Sequence, residues 1–149
     1  MHQQEIDMIS SYLQPHHKMF EWGCGGSTLY FSEKVSLYRS VEHNMDWYKK
    51  IKEDIKNNVE LYYVNEHKEY TDYINCISKF NDFYDSILID GRQRVRCAIK
   101  AKHYLNNTGL LFVHDFFTRP RYDPILEFYN LIDSVKNTQQ TLGVFEIKK

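Results

Sequence analysis

The sequence predicts an α/β protein: a mostly parallel sheet with helices on both faces. Three observations predict it. Short apolar runs alternate with amphipathic segments along most of the chain. The runs end in polar residues, Glu21, Glu42, Asn65, Asp90 and Asp115. The alternation stops only near the end, where two strand-like runs follow one another.

Taken in order, EIDMISSYL (residues 5–13) has apolar residues at helical spacing, and Pro15 closes it. KMFEW is a short buried strand. A helix opens at Ser27, just after the glycines, and runs to Glu33. SLYRSVEH alternates and ends at Glu42 as a second strand. MDWYKKIKEDIKNN is an amphipathic helix with Met45, Tyr48, Ile51 and Ile55 on one face. VELYYVN is the third strand and EYTDYINCI a short helix. YDSILID is the fourth strand. VRCAIKAKHYL is a helix closed by Asn106-Asn107-Thr108-Gly109, and GLLFVHDF is the fifth strand. DPILEFYNLI reads as a helix with Asp123 and Pro124 in its first turn. DSVKN and TLGVFEIK read as two last strands joined by a polar turn.

At 149 residues the chain is expected to form one domain, residues 1–149, with an ample core. Its 19 basic and 20 acidic residues leave a net charge of -1, which argues against a general nucleic-acid or membrane binder. Cys24, Cys76 and Cys97 are widely spaced and form no CxxC pair, so neither a zinc site nor a disulfide framework is expected. No apolar run could span a bilayer, and the first residues lack the pattern of a signal peptide. An intracellular, cytoplasmic setting is expected.

In such sheets ligands bind beyond the carboxyl ends of the strands, where strand order reverses. The first strand here leads into MFEWGCGGSTLYF (residues 19–31). Gly23, Gly25 and Gly26 let a ligand approach the backbone, and Ser27 and Thr28 stand at the helix start, where free N–H groups favour an anion. An ordinary tight turn with a Ser cap would also account for them. Glu42 adds a second sign, since an acid at the end of the next strand, about 20 residues on, meets ribose hydroxyls in nucleotide sites. A dinucleotide site asks for GxGxxG, and here Thr28 takes the last position. Glu21 before the glycines would repel a pyrophosphate and suits a ligand with positive charge.

FEWGCGGS and VEH resemble the first and second motifs of the class I S-adenosylmethionine-dependent methyltransferases. GCGGSTLYF with ILIDGRQRVRCA is similar to a branch with viral and eukaryotic members, some associated with glycan methylation. The order DG…VHD is similar to that of small-molecule O-methyltransferases. The resemblance covers nearly the whole chain and implies a three-layer Rossmann-like sandwich, with a seven-stranded sheet and an antiparallel last strand. It implies S-adenosylmethionine as cofactor, held by Glu21, Gly23, Gly25, Gly26, Ser27, Thr28, Glu42 and His43.

Methyl transfer to a hydroxyl needs alignment and removal of a proton. Asp90 and His114, at the ends of the fourth and fifth strands, are the candidate bases. Their other readings are a helix cap and a satisfied histidine. Asp90 and Asp115 together could hold Mg²⁺, but the small O-methyltransferases of the resemblance carry an acid where this chain has histidine. Arg92 and Arg94 could bind an anionic substrate or the cofactor carboxylate, or form a solvated helix start. FFTRPRY, with Arg119 and Arg121, suits a sugar- or phosphate-facing loop or a surface loop pinned by its aromatics.

The expected function is O-methylation of a sugar, glycan or small-molecule hydroxyl. The alternatives are an N-methyltransferase on nucleic acid or protein and a non-catalytic nucleoside-binding module. IDGR at the fourth strand differs from the Asn/Asp-Pro-Pro-aromatic turn of nucleic-acid amino methylation.

Overall fold

A computed structural model of the chain describes residues 1–65, 69–137 and 141–149. Seven strands form one sheet: Lys18–Trp22 (β1), Leu37–Glu42 (β2), Val59–Tyr63 (β3), Tyr84–Ile89 (β4), Leu105–His114 (β5), Tyr129–Lys136 (β6) and Thr141–Ile147 (β7). Their spatial order is β3-β2-β1-β4-β5-β7-β6. β1 to β5 pair in parallel, and β7 runs antiparallel to both β5 and β6. The expected mostly parallel, seven-stranded Rossmann-like sandwich is therefore observed. The antiparallel strand is last in the chain but lies between β5 and β6 in space.

Among the described residues five α-helices flank the sheet: Gln3–Tyr12 (α1), Gly26–Phe31 (α2), Met45–Lys52 (α3), Thr71–Asn75 (α4) and Arg94–Ala101 (α5). The period of two along each strand sorts the core into two layers. Phe20, Trp22, Ile87, Ile89, Leu111 and Val113 face one way, with Ile74, Cys97 and Ala98 of α4 and α5. Met19, Leu88 and Phe112 face the other way, with Ile9 of α1 and Phe31 of α2. The same alternation puts Glu21, Asp90 and His114 on the side of α1 and α2.

Three expected elements differ. The helix after Asn44 ends at Lys52, so Ile55 reaches the core from beyond it. Met45 is exposed, and the expected apolar face is not continuous. Residues 123–132 are not one helix. A 3₁₀ segment, Pro120–Glu127, gives way to β6, because Pro120 and Pro124 interrupt the donors of a regular helix. Asn106 to Gly109 do not cap α5, which ends at Ala101. They lie within β5, where pairing jumps from Tyr84↔Leu105 to Ser86↔Leu110. Among the described residues no helix is long and apolar enough to cross a membrane.

Candidate active site

A cavity of about 1070 Å³ opens beyond the carboxyl ends of β1, β2 and β4. β1 lies between β2 and β4, so this is where strand order reverses. Its floor is two touching turns. Gly23 follows β1 with φ +95, and its N–H donates to the Val41 carbonyl at 2.9 Å. A Cβ on Gly23 would lie 2.7 Å from the Gly91 backbone, and one on Gly91 would collide with the Tyr73 hydroxyl. Gly23 therefore requires glycine, Gly91 leaves no room for a Cβ while Tyr73 stays in place, and the cavity floor there is bare backbone.

Glu21 does not face this cavity. It is fully buried and accepts hydrogen bonds from the hydroxyls of Ser27, Thr28 (2.5 Å) and Ser40 (3.0 Å). Thr28 Oγ1 also accepts from the Gly25 N–H at 2.9 Å. The acid and both hydroxyls thus clasp the glycine turn from beneath. Burial pushes the Glu21 carboxyl from 4.5 up to about 7; the hydroxyl donors oppose the rise and the charge of Asp90 adds to it. The expectation that Glu21 meets a cationic ligand is corrected on this geometry. Ser27 and Thr28 spend their hydroxyls inward, and neither lines the cavity. Gly25 and Gly26 are also outside its walls, although a Cβ on Gly26 would meet no protein atom within 4 Å.

Glu42 does line the cavity, at the end of β2. Its Oε1 accepts from the His43 and Asn44 N–H groups (2.9 and 2.8 Å), and Oε2 from Cys24 N–H (3.1 Å). These backbone donors fix the carboxylate at the rim. His43 lies beside it, Nδ1 at 2.9 Å. Asn44 caps α3 through its side chain, which sets Trp47 over the turn, and the indole N–H donates to the Cys24 carbonyl at 2.6 Å. Trp47 is a wall that the sequence reading passed over as part of an amphipathic helix. Burial and the charges of Glu42 and Glu21 push the Cys24 thiol up, so it stays protonated and is no nucleophile.

The opposite wall comes from β4 and β5. Ile89 pairs with Val113, so Asp90 and His114 are neighbours on one face. His114 Nδ1 stands 2.8 Å from Asp90 Oδ1, and Nε2 lies 3.4 Å from Oε1 of Glu5 on α1. Glu5 is fully buried, and its other oxygen accepts from the His2 N–H at 2.7 Å. Burial lowers the affinity of His114 for its proton. The hydrogen bond to Asp90 and the charges of Asp90, Asp115 and Glu5 outweigh it and raise the pKa. Asp90 lines the cavity and His114 stands behind it. His114 is therefore not the free imidazole facing an acceptor that the strand-end pattern suggested.

Arg94 ties these ends together. It donates to the carbonyls of His114, Gly91 (3.1 Å) and Asp90 (3.4 Å). Its guanidinium also lies 3.4 Å from the Asp90 carboxylate and 3.6 Å from that of Asp115. A cationic side chain thus stands between the two carboxylates weighed as Mg²⁺ ligands. Arg94 is nearly buried in this network, while Arg92 is exposed at the mouth.

No protein-family model matches the chain, and no curated protein matches it. Solved structures do. A methyltransferase-like protein from Silicibacter pomeroyi superposes with a TM-score of 0.75 at 20% identity, over 98% of this chain and 87% of that one. An rRNA methylase from Streptococcus thermophilus gives 0.73 at 11% identity, over 98% and 95%. A Streptococcus mutans protein in complex with SAH gives 0.70 at 13% identity, over 99% and 100%. The likeness shows the fold, a Rossmann-like methyltransferase sandwich.

Proposed function

We propose that the chain is an S-adenosylmethionine-dependent methyltransferase acting on a hydroxyl of a sugar, glycan or other small molecule. The observation that carries this is the cavity at the β1–β4 reversal. It has a bare Gly23–Gly91 floor, an anchored carboxylate on one side (Glu42) and a second carboxylate on the other (Asp90). The shared fold supports it, and one of the similar structures holds SAH.

The residues fit the cofactor's chemistry. Glu42 can accept from a ribose diol, Trp47 offers an aromatic face to a base, and the glycine floor admits a bulky ligand. When bound, S-adenosylmethionine supplies an electrophilic methyl group. The protein's part is to place the acceptor and take its proton. Asp90 Oδ1 is held by His114 and Arg94, while Oδ2 has no hydrogen-bond or ion-pair partner among the described residues. Asp90 Oδ2 accepts the hydroxyl proton. His114 fixes the carboxylate, and the Glu5 carboxylate stands 3.4 Å behind the imidazole.

Calorimetry with S-adenosylhomocysteine (SAH) and NAD tests this reading. Binding of SAH and not NAD is expected, with affinity reduced roughly 10-fold or more in Glu42→Gln. A folded protein that ignores SAH would overturn the reading, and unchanged affinity in Glu42→Gln would remove the ribose assignment.

A further inference from the structure

The chain has six arginines and thirteen lysines. Five of the arginines line the candidate cavity, Arg92, Arg94, Arg96, Arg119 and Arg121, against one lysine, Lys50. The sixth, Arg39, is committed elsewhere, to Glu60 and Asp82. Three acids share the wall, Glu42, Asp46 and Asp90, so the cavity carries an excess of positive charge in a chain whose net charge is -1. Arginine differs from lysine in presenting a planar fork that binds carboxylate or phosphate through paired hydrogen bonds. Its concentration here is therefore a chemical signal beyond charge alone.

The arginines are not equivalent. Arg94 is consumed by the β4–β5 network, and Arg96 donates to the Glu69 carbonyl at 2.7 Å. Arg92 and Arg121 pair with no carboxylate among the described residues, and Arg119 lies only at 3.8 Å from Asp115. Two of these three come from one braced segment. Tyr122, buried, sits between Arg94 and Arg121, whose guanidinium carbons lie 5.6 and 5.3 Å from its ring centre. Pro120 and the buried Phe116 stiffen the same loop.

We propose that Arg92, Arg119 and Arg121 form an oxyanion subsite, and that the acceptor carries a phosphate or carboxylate group held there while its hydroxyl meets Asp90. The second half of this rests on the proposed methyl transfer. The overall charge favours a small acceptor over a polyanion, whose binding needs a basic surface beyond one cavity.

The test is calorimetry at low ionic strength on the full chain and on an Arg92→Gln, Arg121→Gln double variant. Both side chains are exposed, so folding should survive, and circular dichroism checks it. The probes are inorganic phosphate, succinate and, separately, SAH. Phosphate or succinate should bind the natural chain and lose roughly 10- to 100-fold in the variant, the loss of one or two charge-assisted hydrogen bonds. SAH affinity should stay within about twofold, since the two substitutions alter neither Glu42 nor the Gly23 and Gly91 backbone. The stronger of the two probes identifies the oxyanion. Equal binding of both probes to the two proteins, or none to either, overturns the subsite. Arginine-dependent phosphate binding without SAH binding would keep the subsite and overturn its link to methyl transfer. A single-stranded oligonucleotide binding far more tightly than phosphate, with a steep salt dependence, would overturn the small acceptor.

Discussion

Replacing Glu21 by glutamine should remove a pH dependence that the fold otherwise carries. Glu21 is fully enclosed, and its carboxyl is raised from 4.5 to about 7, chiefly by burial. The folded protein therefore holds the proton more tightly than the unfolded chain. Where the folded state binds more protons, stability falls as pH rises. The contribution is full below about 4.5 and is lost as pH climbs through about 7. At roughly 1.4 kcal/mol per pH unit, that interval is worth about 3 kcal/mol. Glutamine can keep its oxygen for the Thr28 and Ser40 hydroxyls, turn its amide N–H toward the Ser27 oxygen, and does not ionise. His114, whose raised pKa also removes stability as pH rises, is present in both proteins and cancels in the difference. Urea unfolding followed by tryptophan fluorescence at pH 4.5, 5.5, 6.5 and 8 measures it. The variant should gain on the natural chain by about 3 kcal/mol across the series, or about 1.5 M in midpoint for a typical urea dependence. Parallel curves at every pH would show that Glu21 ionises in the fold as it does in the unfolded chain, and would refute the reasoning.

Other outcomes are expected of the site. Gly91→Ala should lower stability by about 1–3 kcal/mol through its collision with Tyr73, a loss that Tyr73→Phe partly restores, whereas Gly26→Ala should be nearly neutral; thermal melts decide. Asp90→Asn should cut methyl transfer ~10²–10⁴-fold and leave SAH binding in place, read by turnover and calorimetry on the same sample. Glu5→Gln removes one of the charges that raise His114, so the imidazole titration seen by NMR should move to lower pH; an unmoved titration would detach Glu5 from the site.

The sheet was legible because its strands are short apolar runs with polar ends, and burial on both faces demands such runs. Glu42 and Asp90 were legible for the same reason, as acids at strand ends. Residues 123–132 misled because Ile125, Leu126, Phe128, Tyr129, Leu131 and Ile132 satisfy a helix period and an edge strand alike. Antiparallel pairing with β7, the next strand, decided the matter. Glu5 was invisible as a site residue. In sequence it is an acid in the first turn of a helix, a common surface position. Only the stacking of α1 over the β4–β5 boundary brings it to His114. Glu21 was found but misassigned, because the sequence does not show on which side of the strand Ser27 and Thr28 will meet it.

The place of β7 has a consequence for how the chain is made. Synthesis delivers β5, then β6, then β7, yet β7 is the strand that lies between the other two. Until Thr141 and the residues after it have left the ribosome, β5 shows an open edge through Leu111, Phe112 and Val113, and β6 has no partner at all. Leu131 and Ile132 on β6 stay exposed even in the finished sheet. A nascent chain stalled before Thr141 would thus present an unpaired apolar edge and a loose strand to its neighbours, the condition under which chains pair with one another. The last of these seven strands to be made is the one that locks the sheet, so a stalled chain would be a natural client for chaperones or proteases until that strand docks.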